Sequence, residues 1–423
     1  MKKRLFELAL VATPKFLTGF LNVALNAALL RFLGPAEYGV FALCTAGIIL
    51  FDSIFGAAAD NSMFKLVQAE RHRGPAHTLA IERAALVVKG LLWMAAALVV
   101  APLAGEISRR WLQQDGRTAL VAIVLAAAGA VLVFRSLLAH WQIRERFATY
   151  GAFDTAHSVL KFGGTALLLV WVDAPSTEPI VAIFALAPLL VVGGAALAGG
   201  FPLFHIEPSP VIVRRVARVS TWFVLTFGLS VVLSRLDLFV LAELSSIEAV
   251  GIYSGGQVFA LIPELVGSLV SVIFVPRIYA YWHAGRLQRL GSLVAGGGLA
   301  VGVVVTVAAW LARPWLAHLF PASFAPSLEI LLILLPGYLV GMVAFPLVIP
   351  FLMFARPRAI LGLDLVTLPL MLALFAWLIH EHGAVGAAWA ATVTRFCKVG
   401  IMHGLAWRAL RRTPRPPADA PHA

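Results

Sequence analysis

The stretch STWFVLTFGLSVVLSRLDLFVLAELSSIEAVGIYSGGQVFALIPELVGSLVSVIFVPR, residues 220–277, contains two apolar runs joined by a short polar turn at 243–248. Within the first run, polar side chains recur every three or four positions: Thr226, Ser230, Ser234 and Asp237. This spacing places them on one face of a helix. A helix in hydrocarbon has no water on any face unless the protein supplies a cavity. The stretch therefore predicts a membrane helix whose polar face lines a cavity.

The first half of the chain carries a similar arrangement. A shift of 212 positions, the difference between 251 and 39, aligns Gly39 with Gly251 and Asp52 with Glu264. The same shift places the stripe in 220–241 opposite a polar stripe in the first apolar run, formed by Lys15, Thr18, Asn22 and Asn26. Asp52 and Glu264 would each lie ~20 Å into a hydrocarbon layer ~30 Å thick. The pattern predicts an internal duplication of the kind found in transporters.

Composition places the chain among membrane proteins. Hydrophobic residues make up 61%, charged residues 13%, and the mean hydropathy is +0.90. The net charge of +12 would suggest nucleic-acid binding in a soluble domain. Here most Lys and Arg fall in short loops between apolar runs, where they indicate membrane orientation, so no nucleic-acid partner is expected. The two cysteines, Cys44 and Cys397, lie inside apolar runs and predict neither a disulfide framework nor a metal site.

The apolar runs predict an all-α integral membrane protein with about twelve transmembrane helices. We place these spans at 5–30, 38–59, 84–104, 118–138, 151–172, 179–200, 220–241, 250–276, 290–312, 327–354, 359–379 and 384–407. They form an N-terminal six-helix lobe, 1–206, and a C-terminal six-helix lobe, 207–407, around a central cavity. A basic, Pro-rich tail follows at 408–423, where it would touch anionic membrane lipids. The distribution of Lys and Arg predicts that both termini are cytoplasmic.

Three short motifs carry a family resemblance. The motif RFLGPAEYGVFA at 31–42 follows the first apolar run, SRLD at 234–237 is followed by VGIYS at 250–254, and GAVGAAWA at 383–390 opens the last run. In their order and spacing these motifs resemble signatures of the polysaccharide transporter branch of the multidrug/oligosaccharidyl-lipid/polysaccharide exporter superfamily. The resemblance covers nearly the whole chain.

The resemblance implies a flippase rather than an enzyme. Members of this type move an undecaprenyl-pyrophosphate-linked oligosaccharide across the bacterial inner membrane for polysaccharide biosynthesis, in pathways such as O-antigen, lipopolysaccharide or exopolysaccharide assembly. Two lobes would rock around the cavity in alternating access, driven by a proton or sodium gradient. No cofactor is implied, and a complex with a polysaccharide polymerase or a glycosyltransferase is left open.

A pyrophosphate cargo requires cations, and its sugar requires hydroxyl or amide groups, because an unpaired charge in hydrocarbon costs several kcal/mol. We therefore predict the substrate-binding residues Lys15, Thr18, Asn22, Asn26, Lys161, Ser230, Ser234, Arg235 and Arg395. For ion coupling the candidates are the buried carboxyls Asp52, Asp237 and Glu264. The alternative for each charged residue is a structural ion pair between helices. Arg135 and Lys89, closer to span ends, are expected to snorkel.

Two other functions compete. A drug or cation exporter of the same superfamily would share the fold, but it is expected to carry an acidic residue in the first helix, where this chain has Lys15, Asn22 and Asn26. A membrane glycan polymerase or ligase would typically present a large outward loop, and the outward loops here are short. The lumen is also asymmetric, because Arg235 and Asp237 align with uncharged residues in the first half.

Overall fold

The computed structural model describes residues 2–173, 175–199, 201, 209–267, 287–354 and 357–412, and these contain helices but no β-strand. The α-helices are α1 (Lys2–Phe32), α2 (Pro35–Phe51), α3 (Ala57–Glu70), α4 (Pro75–Val100), α5 (Ala104–Arg110), α6 (Thr118–Ile143), α7 (Phe147–Trp171), α8 (Thr177–Leu197), α9 (Pro210–Leu244), α10 (Ile247–Ala260), α11 (Leu287–Leu311), α12 (Arg313–Leu316), α13 (Ser327–Phe354) and α14 (Pro357–Arg412). One turn of π-helix, Asp52–Gly56, joins α2 to α3 without interrupting the helical rod.

The all-helical membrane architecture predicted from the apolar runs is confirmed. In the described ranges, six helices are long and apolar enough to cross a membrane, or up to eight if each of two bent helix pairs is one span. The count of about twelve and the cytoplasmic position of both termini stay predictions. Pro14 lies inside α1 without ending that helix.

Two helices extend well beyond the spans expected from hydropathy. The predicted spans 38–59 and 84–104 leave the residues between them as a connecting loop, but α3 continues to Glu70 and α4 already begins at Pro75. This prediction was wrong because hydropathy detects the apolar part of a helix and not its polar extension. At ~1.5 Å per residue, the rod from Pro35 to Glu70 is about 54 Å long, which exceeds the ~30 Å hydrocarbon layer. The helical ends therefore project beyond it.

The chain divides into two compact units: Ala9–Gly251 is one, and Ile252–Ala423 with Met1–Leu8 is the other. In the first unit, α6 packs along α8, and the N-terminal part of α9 packs against α3 and α4. Val216 of α9 is fully buried there, in an apolar cluster with Met63 and Ala84. The division into lobes 1–206 and 207–407 remains a prediction.

A close helix crossing within the first unit supports the internal duplication. A Cβ atom on Gly39 would overlap the carbonyl oxygen of Ile247, and a Cβ atom on Gly251 would overlap that of Pro35. The shift of 212 that aligns Gly39 with Gly251 also aligns Pro35 with Ile247. The two contacts are thus equivalent under the duplication, as a local two-fold axis requires. Glycine is needed at both positions because the helix backbones meet there.

In the second unit, α13 packs along α14. Gly383 breaks α14 with a positive φ of 55°, so that the segment Leu361–Leu405 contains two helical stretches. A Cβ atom on Gly386 would collide with the backbone of Leu378, which shows how tight the turn is. The break falls between the predicted spans 359–379 and 384–407.

Candidate functional site

Polar side chains of α1 and α7 meet inside the first unit. Lys161 of α7 donates a hydrogen bond of 2.6 Å to Oδ1 of Asn22, and its Nζ lies 4.7 Å from the centroid of the Phe184 ring. One turn earlier on α1, Thr18 Oγ1 lies 3.5 Å from a carboxylate oxygen of Asp154. The predicted stripe on α1 therefore faces charged groups on α7.

Asn26 continues the same face of α1 but has a structural role. Its Nδ2 donates to the carbonyl of Asn22 at 2.8 Å, and its Oδ1 accepts a 3.0 Å hydrogen bond from the hydroxyl of Tyr38, which is 1% exposed. These bonds fix the amide and connect α1 to α2. The role of Asn26 in substrate binding stays a prediction.

Asp52 is paired with an arginine. Its Oδ2 accepts a hydrogen bond of 3.2 Å from Nε of Arg135 on α6. The π-helical turn begins at Asp52, and a Cβ atom on Gly56 would press against the same carboxylate, so glycine leaves room for it. Single π turns of this kind are frequent at functional sites.

The Arg135 side chain is 48% exposed, and its guanidinium lies beside the Asp52 carboxylate. Asp52 supplies a counter-ion for Arg135, and the snorkelling of Arg135 to a span end stays a prediction.

A carboxylate that the sequence analysis did not select lies beside these cations. Asp154, half-buried on α7, is within Coulombic range of Arg135, Lys15 and Lys161. Asp154 and Lys161 are seven residues apart and so share one helix face. That spacing is the sequence signal that could have identified Asp154. We call this group the α1–α7 recess, and it comprises Lys15, Thr18, Asn22, Asp52, Arg135, Asp154 and Lys161.

Behind the recess, a buried ion pair joins α3 to α4. Nζ of Lys89 lies 2.7 Å from Oδ1 of Asp60 and donates a 2.9 Å hydrogen bond to the hydroxyl of Ser136. Lys89 is 1% exposed, so its ammonium group does not reach water. The prediction that Lys89 snorkels was therefore wrong. The pair holds α3, α4 and α6 together.

The predicted residues on α9 show mixed environments. Ser234 is exposed, and its hydroxyl donates 2.6 Å back to the carbonyl of Val231. Asp237 is 6% exposed and accepts a hydrogen bond of 3.0 Å from the amide of Leu238, while Ser230 and Arg235 are half-buried. The side chain of Thr226 lies outside the described residues.

The remaining predicted residues lie in the second unit. The guanidinium of Arg395 sits 3.4 Å from the centroid of the Tyr338 ring, a cation–π contact. The Tyr338 hydroxyl accepts a 3.1 Å hydrogen bond from Gln257. Glu264 is exposed. Sequence reasoning did not identify the buried Asp364, which is paired with Lys398 at 2.7 Å.

Ion pairs also connect the helices of the first unit at the end where α6 begins. Arg117 pairs with Glu37 of α2 and lies 3.4 Å from Glu178 of α8. The hydrogen bond to Glu37 and the charges of both carboxylates raise the pKa of Arg117, so its charge is permanent. Thr177 donates to a Glu37 carboxylate oxygen at 2.8 Å. These bonds join α2, α6 and α8.

Gln113 holds the turn between α9 and α10. Its Nε2 donates to the carbonyls of Ala242 at 3.0 Å and Ser245 at 2.7 Å, and its Oε1 accepts from the amide of Ile247 at 2.8 Å. The residue adopts a positive φ of 51°. One side chain thereby satisfies backbone groups of both helix ends, which otherwise lack intrahelical partners.

In the described part of the chain, no group of three or more His, Cys, Asp or Glu side chains could hold a metal ion. The α1–α7 recess presents charged and hydrogen-bonding side chains. Three cations, Lys15, Arg135 and Lys161, face two carboxylates, Asp52 and Asp154. The recess carries a net charge of about +1 and suits an anion.

Solved structures share this fold. The lipid II flippase MurJ in an inward closed conformation superimposes with a TM-score of 0.73 at 12% identity, covering 93% of this chain and 86% of that one. A point mutant of the Vibrio cholerae MATE transporter VcmN gives 0.66 at 14% identity, covering 96% and 97%. An inward-facing multidrug resistance MATE transporter of the MOP superfamily gives 0.69 at 12%, covering 93% and 94%. These identities establish the fold alone.

Sequence comparison gives the family. No curated protein matches the chain. The profile of the family described as polysaccharide biosynthesis protein matches residues 5–282, which is more than half of the sequence. This match and the shared fold confirm the resemblance stated from the three motifs. The chain belongs to the polysaccharide biosynthesis protein family, with the fold of the MOP superfamily of transporters and flippases.

Proposed function

We propose that this protein is a flippase that moves undecaprenyl-pyrophosphate-linked oligosaccharide across the bacterial inner membrane by alternating access. The observation that carries the proposal is the cationic α1–α7 recess in a member of a polysaccharide biosynthesis family. A lipid-linked sugar pyrophosphate has about two negative charges that must be neutralised away from water. Lys15, Arg135 and Lys161 would neutralise the pyrophosphate, and Thr18 and Asn22 would bind sugar hydroxyls.

The second half would contribute further contacts to the same cargo. Ser230, Ser234 and Arg235 of α9 and Arg395 of α14 are the proposed groups there. Transport against a concentration gradient needs an energy source, for which we propose a proton or sodium gradient acting through carboxylates such as Asp52, Asp237 and Glu264. The bilayer lipids and, where present, a polymerase or glycosyltransferase complex would be the other partners.

A drug or cation exporter is the second candidate, because two of the three solved structures named above are MATE transporters. A cationic drug would meet a recess of net positive charge, which opposes binding. The sign of the charge in the recess therefore favours the anionic cargo.

Deletion of the gene in the host strain, followed by complementation, tests the proposal. Lys161→Met should reduce surface glycan at least tenfold at normal protein abundance, whereas Lys161→Arg should retain part of it because the charge is kept. Lys65→Gln, which removes an exposed lysine, is the matched control and should leave surface glycan unchanged. Wild-type surface glycan with Lys161→Met, or in the gene deletion itself, would refute the flippase proposal.

A further inference from the structure

The first half of α9 has one buried face and one exposed face. The buried face is fixed to α3: Val216 is fully buried in the apolar cluster that includes Met63, and Ser220 donates a 3.1 Å hydrogen bond to the hydroxyl of Ser62. The opposite face is exposed and covers about a third of the helix circumference. It carries Val211, Arg214, Arg215, Arg218, Thr221, Trp222 and Leu225. Because α9 is held from behind, these side chains project from a fixed helix.

Along the chain, this exposed face changes from basic to apolar. Arg214 and Arg218 are one turn apart, Trp222 follows one turn later and is 44% exposed, and Leu225 is 58% exposed. From Arg214 to Leu225 the helix rises by about 17 Å. An anionic lipid at a membrane surface has the same order of groups, a charged head followed by a hydrocarbon chain. We call Arg214, Arg218, Trp222 and Leu225 the α9 stripe.

The two arginines of the α9 stripe differ from the arginine between them. Arg215 pairs with Glu70, which is 6% exposed at the end of α3. Within the described ranges, neither Arg214 nor Arg218 forms an ion pair with a carboxylate. Like charges four residues apart on a helix repel each other. An anion bound to both guanidinium groups would remove this repulsion.

From this geometry we infer that the α9 stripe is a docking site for the lipid-linked pyrophosphate at the membrane surface, occupied before the cargo enters the transport path. The inference rests on the proposed function and adds a second binding site to the α1–α7 recess. Arg214 and Arg218 bind the pyrophosphate, and Trp222 and Leu225 pack against the first isoprene units of its chain. The distribution of Lys and Arg predicts that this end of α9 is cytoplasmic, which is the side from which the proposed flippase takes its cargo.

Charge favours the cargo over an ordinary phospholipid. A pyrophosphate diester carries a negative charge on each of its phosphates, so it can neutralise both Arg214 and Arg218. Phosphatidylglycerol has a single phosphate and leaves one of the two arginines uncompensated. Guanidinium groups bind phosphate oxygens in a bidentate geometry, and neighbours one turn apart can bind the two phosphates of one head group. The preference is needed because phospholipids outnumber the cargo in the bilayer.

Photo-crosslinking tests the assignment directly. The probe is farnesyl-pyrophosphoryl N-acetylglucosamine with a diazirine in its first isoprene unit, added to the full-length protein in phosphatidylcholine nanodiscs, and crosslinks are mapped by mass spectrometry. For the wild type we expect crosslinks within residues 211–225. The double variant Arg214→Gln/Arg218→Gln should lose them at least about tenfold, because both charge-assisted contacts are removed.

A matched control removes the same charge elsewhere. The double variant Lys65→Gln/Arg71→Gln changes two exposed cations that are not on α9, and its crosslinking should stay within about twofold of the wild type. Lys161→Met, which alters the α1–α7 recess, should also retain the crosslinks at 211–225. Excess phosphatidylglycerol should reduce them by less than about twofold, and excess inorganic pyrophosphate should compete less well than the unlabelled farnesyl diester.

The outcomes separate this inference from the flippase proposal. Absence of crosslinks at every position of the wild type would overturn both. Crosslinks that avoid 211–225, that persist in Arg214→Gln/Arg218→Gln, or that fall equally in both double variants would overturn the α9 stripe alone. Displacement by phosphatidylglycerol would show a general surface for anionic lipids and would overturn the assignment to the cargo. If Arg214→Gln/Arg218→Gln is not folded, Arg218→Gln alone must lower the crosslinking at least about threefold, and unchanged crosslinking would overturn the inference.

Discussion

The buried pair of Asp60 and Lys89 allows a quantitative test of how the first unit is held together. The substitution Asp60→Asn removes one charge and leaves Lys89, which is 1% exposed, next to an amide and the Ser136 hydroxyl. The volume of the side chain hardly changes. Any loss of stability therefore reports the uncompensated ammonium group rather than a cavity.

The separation of 2.7 Å sets the scale of the effect. With an effective dielectric constant near 20, the Coulomb attraction is about 6 kcal/mol, part of which the original desolvation of both ions offsets. Removal of one partner from a buried pair typically costs about 3–5 kcal/mol. Because Ser136 still accepts a hydrogen bond from Lys89, we expect the lower end, about 3 kcal/mol, for the free energy of unfolding. Lys89→Met should cost less, about 1–2 kcal/mol, since the Asp60 side chain is 17% exposed and the Lys89 side chain only 1%.

A double-mutant cycle in detergent gives the coupling free energy. We expect about 2 kcal/mol or more between Asp60→Asn and Lys89→Met, with the double variant more stable than Asp60→Asn alone. Glu106→Gln is the matched control, because Glu106 forms an exposed ion pair with Arg109 and should contribute less than about 1 kcal/mol. A coupling energy below about 0.5 kcal/mol, or equal effects of Asp60→Asn and Glu106→Gln, would refute this reasoning.

Two further predictions concern the close crossing and the turn between α9 and α10. Gly39→Ala and Gly251→Ala should each lower the unfolding free energy by about 1–3 kcal/mol because a Cβ atom overlaps a backbone carbonyl, whereas Gly90→Ala, where nothing lies within 4 Å, should be neutral or stabilising. Thermal melting in detergent measures this, and equal melting temperatures for all three variants would contradict the crossing. Gln113→Ala should increase amide hydrogen exchange in the α9–α10 turn at least tenfold, since its hydrogen bonds satisfy that backbone, and Gln114→Ala should not. Unchanged exchange in Gln113→Ala would show that the turn holds without this side chain.

Much of the architecture follows from the sequence because hydrocarbon imposes strong constraints. Apolar runs must be helical in a membrane, since each backbone polar group needs an internal partner. Polar residues within such runs are expensive, so a stripe such as Thr18 and Asn22 on α1 already indicates a protein-lined space. The structure places both beside charged groups of α7. The motif glycines Gly39 and Gly251 also mark a real contact.

The partner of each charged residue and the local geometry of the helices were harder to predict from the sequence. A charged residue in an apolar run predicts that it has a counter-ion but not which one, and Arg135 and Lys89 were consequently expected to snorkel. Asp154 was not identified; it lies close to the start of the predicted span 151–172, where a carboxylate can be hydrated. The π turn at Asp52–Gly56 has no clear signal in a single sequence, since it differs from an α-helix by one inserted residue.

The two halves of the chain share the glycine contact but differ in their charged residues, and this difference has a physical reason. The glycine contact is duplicated because each half contributes one backbone to the crossing, and a side chain in either half would prevent it. Of the charges in the recess, Asp52 has a counterpart in Glu264, but at the same shift of 212 Arg135, Asp154 and Lys161 correspond to the apolar residues Leu347, Val366 and Ala373. Every charge in a membrane interior is costly, so a second set would be retained only if it bound something. For the flippase that we propose, a single cationic recess would be sufficient for one pyrophosphate, and the asymmetry of charge between the two halves is what that proposal expects.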